Sequence, residues 1–425
     1  MDRRSFMRGA AVVGSGVLAG GAAAGCSSSR PHSDGESEGI ASRPAKSAHG
    51  GGPPDWYVLA GSLHGTLLRP GDIGYPAAGQ LYNAVYAPDA AAIALCASPS
   101  DVQRCLGFAR EHNVEVAARS GGHSYGGYSS CPGLVINVSD MNGVSVGGTS
   151  AHQAAASGQE IVTIGAGTKL IDIYSQLAAR SLLLPGGSCP TVGIAGLALG
   201  GGIGVFSRAY GLTCDQIATI EIVTADGVLR RCGPNEDEDL YWGCRGGGGG
   251  GNFGVVTSFG FRTHPIPEEI TLFTLEWPWG AAETVLDAWL RWIPSAPDAL
   301  WANCQLYSSG VVGGGLLKVT GVFVGSVAAC SAALNPLTSA VGTAPTYRFV
   351  GPEDYVTATM IEAGAKGSRW PSAQHPCSHR SLRNRRTSAD HSRSRPSVRS
   401  SLLCQPCRRR CPVPAEASCS TATAG

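Results

Sequence analysis

Glycine placement constrains this chain more than any other feature. Three stretches concentrate it. The first is Arg119-Ser120-Gly121-Gly122-His123-Ser124-Tyr125, running on to Gly126, Gly127 and Tyr128. The second, Gly186 to Gly204, holds Cys189, Val192, Gly193, Gly196, Gly200, Gly201 and Gly202. The third is Arg245, six consecutive glycines, then Asn252-Phe253-Gly254-Val255-Val256. In a helix interior each glycine costs roughly 1 kcal/mol relative to alanine, so no such stretch is one regular helix. Lacking Cβ atoms, these segments let main-chain N–H groups come close to an anionic group. Glycine totals 60 of 425 residues, about twice the usual share.

The elements that carry these loops are legible. Ser98-Pro99-Ser100-Asp101 opens a helix with a capping serine, proline at the first position and an acid in the first turn. Val102, Cys105, Leu106 and Ala109 follow at helical spacing, and Asn113 ends it. Strands are expected at 114–119 and 134–138, flanking the first loop. A strand at 161–166, a helix at 168–180 capped by Thr168, and a short strand at 181–184 precede the second. Strands at 217–224 and 228–232, joined by Ala225-Asp226-Gly227, form a hairpin. The third loop leads into a strand ending near Pro265. A second set then begins, with strands at 271–277, 300–307 and 316–325 and helices at 281–293 and 326–341. That pattern is an antiparallel sheet backed by helices, and the class is α+β. A dinucleotide fingerprint starting at Gly202-Ile203-Gly204 fails, because position 207 is serine and no suitable helix follows.

Charge is divided along the chain. The total is +1, yet residues 367–425 hold eleven arginines, no lysine and two acids (Asp390, Glu416), a local +9 that leaves −8 for residues 1–366. An acidic body argues against a nucleic-acid partner. No run of 18 strongly apolar residues marks a membrane span. The fifteen cysteines lack the spacing of a disulfide scaffold. Cys404, Cys407 and Cys411 are spaced as zinc ligands can be, but no second pair accompanies them, so no metal is expected.

Residues 1–26 have the form of an export signal. Arg3-Arg4-Ser5-Phe6-Met7 precedes a Gly/Ala-rich apolar run from Gly9 to Ala24, too short to span a bilayer. The pattern is similar to twin-arginine signals, whose pathway carries folded proteins to the cell exterior. Ala23-Ala24-Gly25-Cys26 also resembles a lipoprotein cleavage site, with Ala23 where leucine is preferred, so Cys26 is a candidate lipid anchor at the cell surface. Residues 27–54, rich in Ser, Gly and Pro, are expected to be a flexible linker.

In order and spacing, the three loops resemble those of the berberine-bridge-enzyme-like oxidases, flavoproteins of the vanillyl-alcohol-oxidase (PCMH-type) FAD-binding fold. The resemblance covers about residues 56–360. It implies a two-subdomain FAD-binding domain at 55–267, followed by an incomplete antiparallel-sheet substrate domain at 268–366. It implies that His123 carries FAD through the 8α-methyl group and that Cys189 forms a second bond to flavin C6. The amides of Ser120–Tyr125 are expected to hold the pyrophosphate, with residues 196–204 and 252–256 lining the cofactor. The implied reaction moves hydride from a C–H or alcohol group of a sugar, alcohol or bulky secondary metabolite to flavin N5, with O2 as acceptor. A non-catalytic flavin-binding surface lipoprotein is the alternative.

Near Lys366 the composition changes. Residues 367–425 contain 12 Ser, 11 Arg, 6 Pro and 5 Cys with no periodic apolar pattern. Out-of-frame translation of GC-rich DNA yields such a mixture, and a disordered basic tail is the other reading. Either way this segment is expected not to fold, which would leave the second sheet open on one side. The resemblance locates the active-site base in the closing part whose pattern is missing here. No catalytic residue is assigned, and little turnover is expected.

Overall fold

In chain order, the first sheet and its helices are α1 (Trp56–Ser62), β1 (Thr66–Leu68), α2 (Tyr75–Gly79), β2 (Ala92–Leu95), α3 (Pro99–Glu111), β3 (Val116–Arg119) and β4 (Leu134–Asn137). They belong to a computed structural model that describes residues 53–86, 89–146, 160–247, 251–311 and 313–361. The export signal with Cys26, the linker through residue 52 and the segment 367–425 lie outside the described residues. The sheet order is β1-β2-β4-β3, with β2, β4 and β3 parallel and β1 antiparallel to β2. A parallel pair needs a crossover, and α3 provides one. The Ser98 side chain accepts the Asp101 N–H at its start. Asn113, just beyond its end, takes the left-handed conformation that stops a helix (φ 53°). All four residues of β4 are buried, as suits a strand covered on both faces.

The second group comprises β5 (Val144–Val146), β6 (Ile161–Gly165), α4 (Leu170–Ala178), β7 (Leu182–Leu183), α5 (Ile194–Leu199), α6 (Ser207–Tyr210), β8 (Ile217–Thr224), β9 (Leu229–Cys232), α7 (Glu238–Trp242), β10 (Gly254–Arg262) and β11 (His264–Pro265). Five strands form an antiparallel sheet in the order β5-β6-β10-β8-β9. The expected β8–β9 hairpin is present, its turn tied by Asp226, whose Oδ1 accepts from Thr224 Oγ1 at 2.5 Å and Val228 N at 3.1 Å. Thr168 does not cap the following helix as its position suggested. Lys169 occupies that place without a side-chain bond. The Thr168 hydroxyl is claimed instead by the end of β6, donating to Gly165 O at 2.7 Å and accepting from Gly143 N at 3.0 Å.

The third group is β12 (Ile270–Pro278), α8 (Ala282–Trp292), β13 (Leu300–Ser308), β14 (Gly315–Val324), α9 (Val327–Val341), β15 (Tyr347–Pro352) and α10 (Tyr355–Met360). Its antiparallel sheet runs β13-β14-β12-β15. Strand alternation sorts two faces. Phe273, Leu275, Trp277, Leu300, Ala302, Cys304, Leu317, Val319 and Phe323 pack with Trp289, Leu334 and Leu337 of the two helices. Leu272, Trp301 and Val322, on the opposite face, join the core of the first two sheets. Further along that face the paired rows turn polar: Asn303–Thr320–Thr274, then Gln305–Lys318–Glu276–Tyr347. The chain finally returns to the first core through Tyr355, Ala358, Met360 and Ile361. That core therefore does not close at Pro265.

Candidate cofactor site

The end of β3, the N-terminal half of β10 and helix α5 enclose a cavity of about 440 Å³. Two glycine loops meet at its wall. A Cβ added to Gly121 would collide with Gly193 N, and one added to Gly193 would collide with Ser120 Oγ and Gly121 N. Only glycine at both positions permits this backbone-to-backbone approach. Each loop is anchored separately. Ser120 Oγ donates to Ala166 O at 2.7 Å. Leu170 N donates to Val192 O at 3.0 Å, Ile171 N to Pro190 O at 3.2 Å and Ile194 N to Thr168 O at 3.0 Å, pinning the second loop to the start of α4.

That contact sets the pair of nucleophiles. His123 Nε2 lies 2.9 Å from Thr191 Oγ1, and Cys189 Sγ lies 3.9 Å from the same oxygen. Tyr82 stacks on the imidazole with ring centroids 4.2 Å apart and planes 20° from parallel. Burial, and secondarily the charge of Lys169, push the His123 pKa below its usual 6.5, which favours the neutral, nucleophilic ring. Arg119 is buried at the loop's root. Its Nε donates to Ser129 O at 2.8 Å and Nη1 to Ala78 O at 2.5 Å, while Nη2 has no partner among the described residues.

The wall fits a ligand that is anionic at one end and flat at the other. Among the described residues, the main-chain N–H groups of Gly121, Gly122, His123, Ser124 and Tyr125 donate to no protein acceptor. Carbonyls of the loop at Gly122, Ser124 and Tyr125 point into other bonds. Gly122 O accepts from Tyr82 N at 3.1 Å, and Tyr125 O from Asn83 Nδ2 at 3.1 Å. Successive free amides with their carbonyls tied back form an anion-binding concavity. On α5, a Cβ at Gly196 would meet no atom within 4 Å, so bare backbone faces the space. These residues fit FAD, with its pyrophosphate and planar ring.

Of the residues singled out from sequence, Arg119, Ser120, Gly121, Gly122, His123, Ser124, Tyr125, Cys189, Val192, Gly193, Gly196, Gly254, Val255 and Val256 line this cavity. Gly200, Gly201, Gly202 and Gly204 do not. Gly204 packs on Gly186 O, Gly202 on Thr213, and Gly201 on Gly246 of the third loop, so their bare backbones serve loop-to-loop contact. Asn252 and Phe253 border a separate hollow with Asp226, Arg230 and residues 237–240. Tyr82, Tyr128, Ser129, Val138, Ala195, Leu197, Leu199 and Gly251 also line the cavity. Leu197 and Leu199 fall within the segment expected to line the cofactor, and Tyr128 and Gly251 belong to the glycine loops. Tyr82 lies far from every glycine loop in sequence and carries no local signal. The nine described cysteines are all free, and Cys189 alone among them is not buried.

Residues 90–233 match the family described as "FAD binding domain". The chain is 35% identical over 277 residues to an uncharacterized FAD-linked oxidoreductase, YvdP, of Bacillus subtilis, covering 65% of this chain and 59% of that one. Its fold is similar to that of BBE-like 1 of Physcomitrella patens (TM-score 0.66, 26% identity, 75% of this chain and 66% of that one). It is also similar to a chitooligosaccharide oxidase (TM-score 0.63, 28% identity, 72% and 62%). The fold and site thus define an α+β, PCMH-type FAD-binding protein. Within that class, the chain is similar to the berberine-bridge-enzyme-like, FAD-linked oxidoreductases. It spans 59% and 53% of the lengths of the two Bacillus subtilis relatives.

Proposed function

We propose that this chain is an exported FAD-linked oxidase acting on a C–H or alcohol group of a sugar, an alcohol or a bulky secondary metabolite. The observation that carries the reading is the cavity in which His123 and Cys189, from two locked loops, stand beside a row of unpaired amides. Bound FAD would supply a hydride acceptor at N5, returned to the oxidised state by O2. The chain's own groups do the rest. Amides 121–125 hold the pyrophosphate, and His123 and Cys189 attach to the 8α-methyl and C6 positions. The polar row of the third sheet formed by Gln305, Lys318 and Glu276 would offer donors and acceptors to a hydroxyl-rich substrate. The likeness to a chitooligosaccharide oxidase supports a sugar among the candidates.

The test is made on full-length protein expressed with ample FAD. Flavin colour is expected to stay with the acid-precipitated pellet, and the flavin mass to fall on peptides holding His123 and Cys189. The double variant His123→Ala with Cys189→Ala should release all flavin to acid. A panel of oligosaccharides and alcohols should yield H2O2, at the low turnover expected of a chain with no assigned base. Flavin retained without peroxide from any of them would favour the non-catalytic surface lipoprotein, and no bound flavin would overturn the reading. Export rests on Arg3-Arg4. Changing both to lysine should strand the precursor in the cytoplasm, and normal secretion of that variant would refute the twin-arginine assignment.

A further inference from the structure

Thr191 belongs to neither of the attachment side chains, yet it is hydrogen-bonded to His123 and lies against Cys189. Its Oγ1 stands 2.9 Å from His123 Nε2 and 3.9 Å from Cys189 Sγ. A hydroxyl has one proton to give and lone pairs to receive, so the three groups can be satisfied in either of two senses, of which only the first leaves Nδ1 free to react. Nε2–H donates to Oγ1, and Oγ1–H donates to the sulfur. The other sense would put an acceptor nitrogen at Nε2 and the proton on Nδ1. That arrangement removes the lone pair from the one ring nitrogen the threonine leaves unengaged.

We infer that Thr191 is a positioning residue that couples the two flavin attachments, by holding His123 as the Nε2–H tautomer and donating to the Cys189 sulfur with the same hydroxyl. This rests on the covalent reading above and adds a residue and an order of events to it. Its geometric support is the rigidity of the platform. Thr191 sits between Pro190 and Val192, whose carbonyls accept from Ile171 N and Leu170 N. The Tyr82 stack fixes the plane of the imidazole. With Nε2 engaged, Nδ1 carries the free lone pair. When Nδ1 forms its C–N bond, one 8α C–H and the Nε2–H are given up. When Sγ forms its C–S bond, the S–H and the C6–H are given up. Each event releases two protons and two electrons, which O2 takes up as H2O2. Thr191 Oγ1 accepts the Nε2–H hydrogen bond until that proton leaves to solvent in the first event, and its own O–H faces the sulfur that reacts in the second. The attachments are therefore not independent.

The decisive comparison uses full-length protein purified without flavin, then given FAD under air. Covalent incorporation at each site is followed by peptide mass spectrometry, and FAD affinity is measured separately by fluorescence quenching. Displacing a reacting group by about 1 Å typically costs a hundredfold in rate. Thr191→Val, which keeps the shape and loses the hydroxyl, is accordingly expected to slow incorporation at both His123 and Cys189 by about tenfold or more. Non-covalent affinity should stay within about threefold, and Thr191→Ser should restore both rates. Should Thr191→Val fold poorly, Thr191→Ala takes its place. A separate reading needs no cofactor. Nitrogen-15 spectra of the flavin-free protein should show the Nε2–H tautomer of His123 in the wild type and a tautomer mixture in Thr191→Val. Wild-type rates at both residues in Thr191→Val, with attachment intact, would overturn the coupling and leave the covalent reading standing. Loss at His123 alone would overturn the link to Cys189. A wild type that never gains acid-stable flavin would overturn the covalent reading, and this inference with it.

Discussion

Asp101 is a carboxylate without water, and at the scale of single residues it shows what such a group requires. Its side chain is fully buried, and it accepts main-chain N–H bonds from His64 at 2.8 Å, Gly65 at 3.1 Å and Ala97 at 2.9 Å. Burial on its own would raise its pKa, but the amides of His64, Ala97 and Gly65, aided by the charge of His64, outweigh it and hold the group below 3.8. Because the folded pKa is lowered, the stabilisation is present above about 3.8 and is lost as pH falls through the folded value. Asp101→Asn should therefore cost about 1–3 kcal/mol at pH 7, through an amide NH2 facing donors. The cost should shrink toward pH 3, where the wild type weakens as well. Urea midpoints at the two pH values check this, and an equal deficit at both would contradict it. From sequence, Asp101 was legible as a first-turn acid and no more, because its amide partners His64 and Gly65 come from a segment that shows no pattern. That His123 and Cys189 line one cavity was legible, because each stands in a glycine loop whose residue types form a motif. The bridging bond of Thr191 was not, since it depends on two loops meeting.

Among elements, those fixed by local chemistry were read best. The Ser98 and Ser326 side chains each accept from the amide three residues on, and His64 Nδ1, 3.4 Å from Ser98 Oγ, does not displace that bond. Thr168 stood in an equally good capping position, but the turn after β6 brings Gly143 and Gly165 within reach of its hydroxyl. Tertiary neighbours outbid the helix. The two positions should therefore respond differently to deletion. Ser326→Ala is expected to cost about 1 kcal/mol, the usual value of an exposed cap. Thr168→Val should cost more, about 1–3 kcal/mol, because its buried hydroxyl ties the Gly143 amide to the Gly165 carbonyl and both bonds are lost together. Thermal or urea unfolding of both variants measures the difference, and a larger loss at Ser326 would reverse the assignment. Strand β15 escaped the sequence reading for another reason. Tyr347-Arg348-Phe349-Val350-Gly351-Pro352 is an edge strand that pairs on one side only, with mostly exposed side chains and Gly-Pro at its end. Alternation is weakest in such a strand.

Across the whole molecule, sequence reading divided the chain near Pro265, whereas the packing does not. Tyr355 crosses that division. Its hydroxyl donates to Leu184 O at 3.0 Å and accepts from Leu184 N at 3.2 Å, and its ring meets Tyr174 edge-on at 5.8 Å. These contacts join residues 171 positions apart, a separation no periodic pattern can announce. The described part is accordingly expected to unfold as one cooperative unit. Tyr355→Phe, which leaves the Leu184 amide and carbonyl unpaired in the interior, should lower stability by about 1–3 kcal/mol. It should shift two probes together: far-UV circular dichroism, and the fluorescence of tryptophans that include Trp277 and Trp289 in the third-sheet core. Separate transitions for the two probes would mean that the parts melt independently.

The meeting of Gly121 with Gly193 has an evolutionary side. Two stretches of bare main chain, with no side chain between them, set how far apart the His123 and Cys189 loops stand. Lineages can therefore accumulate changes at Thr274, Gln305 or Lys318 on the third sheet without altering that separation. The tolerance is one-sided. At either glycine even a methyl group forces the loops apart, so the point where the walls join is expected to vary less than the surface of the third sheet.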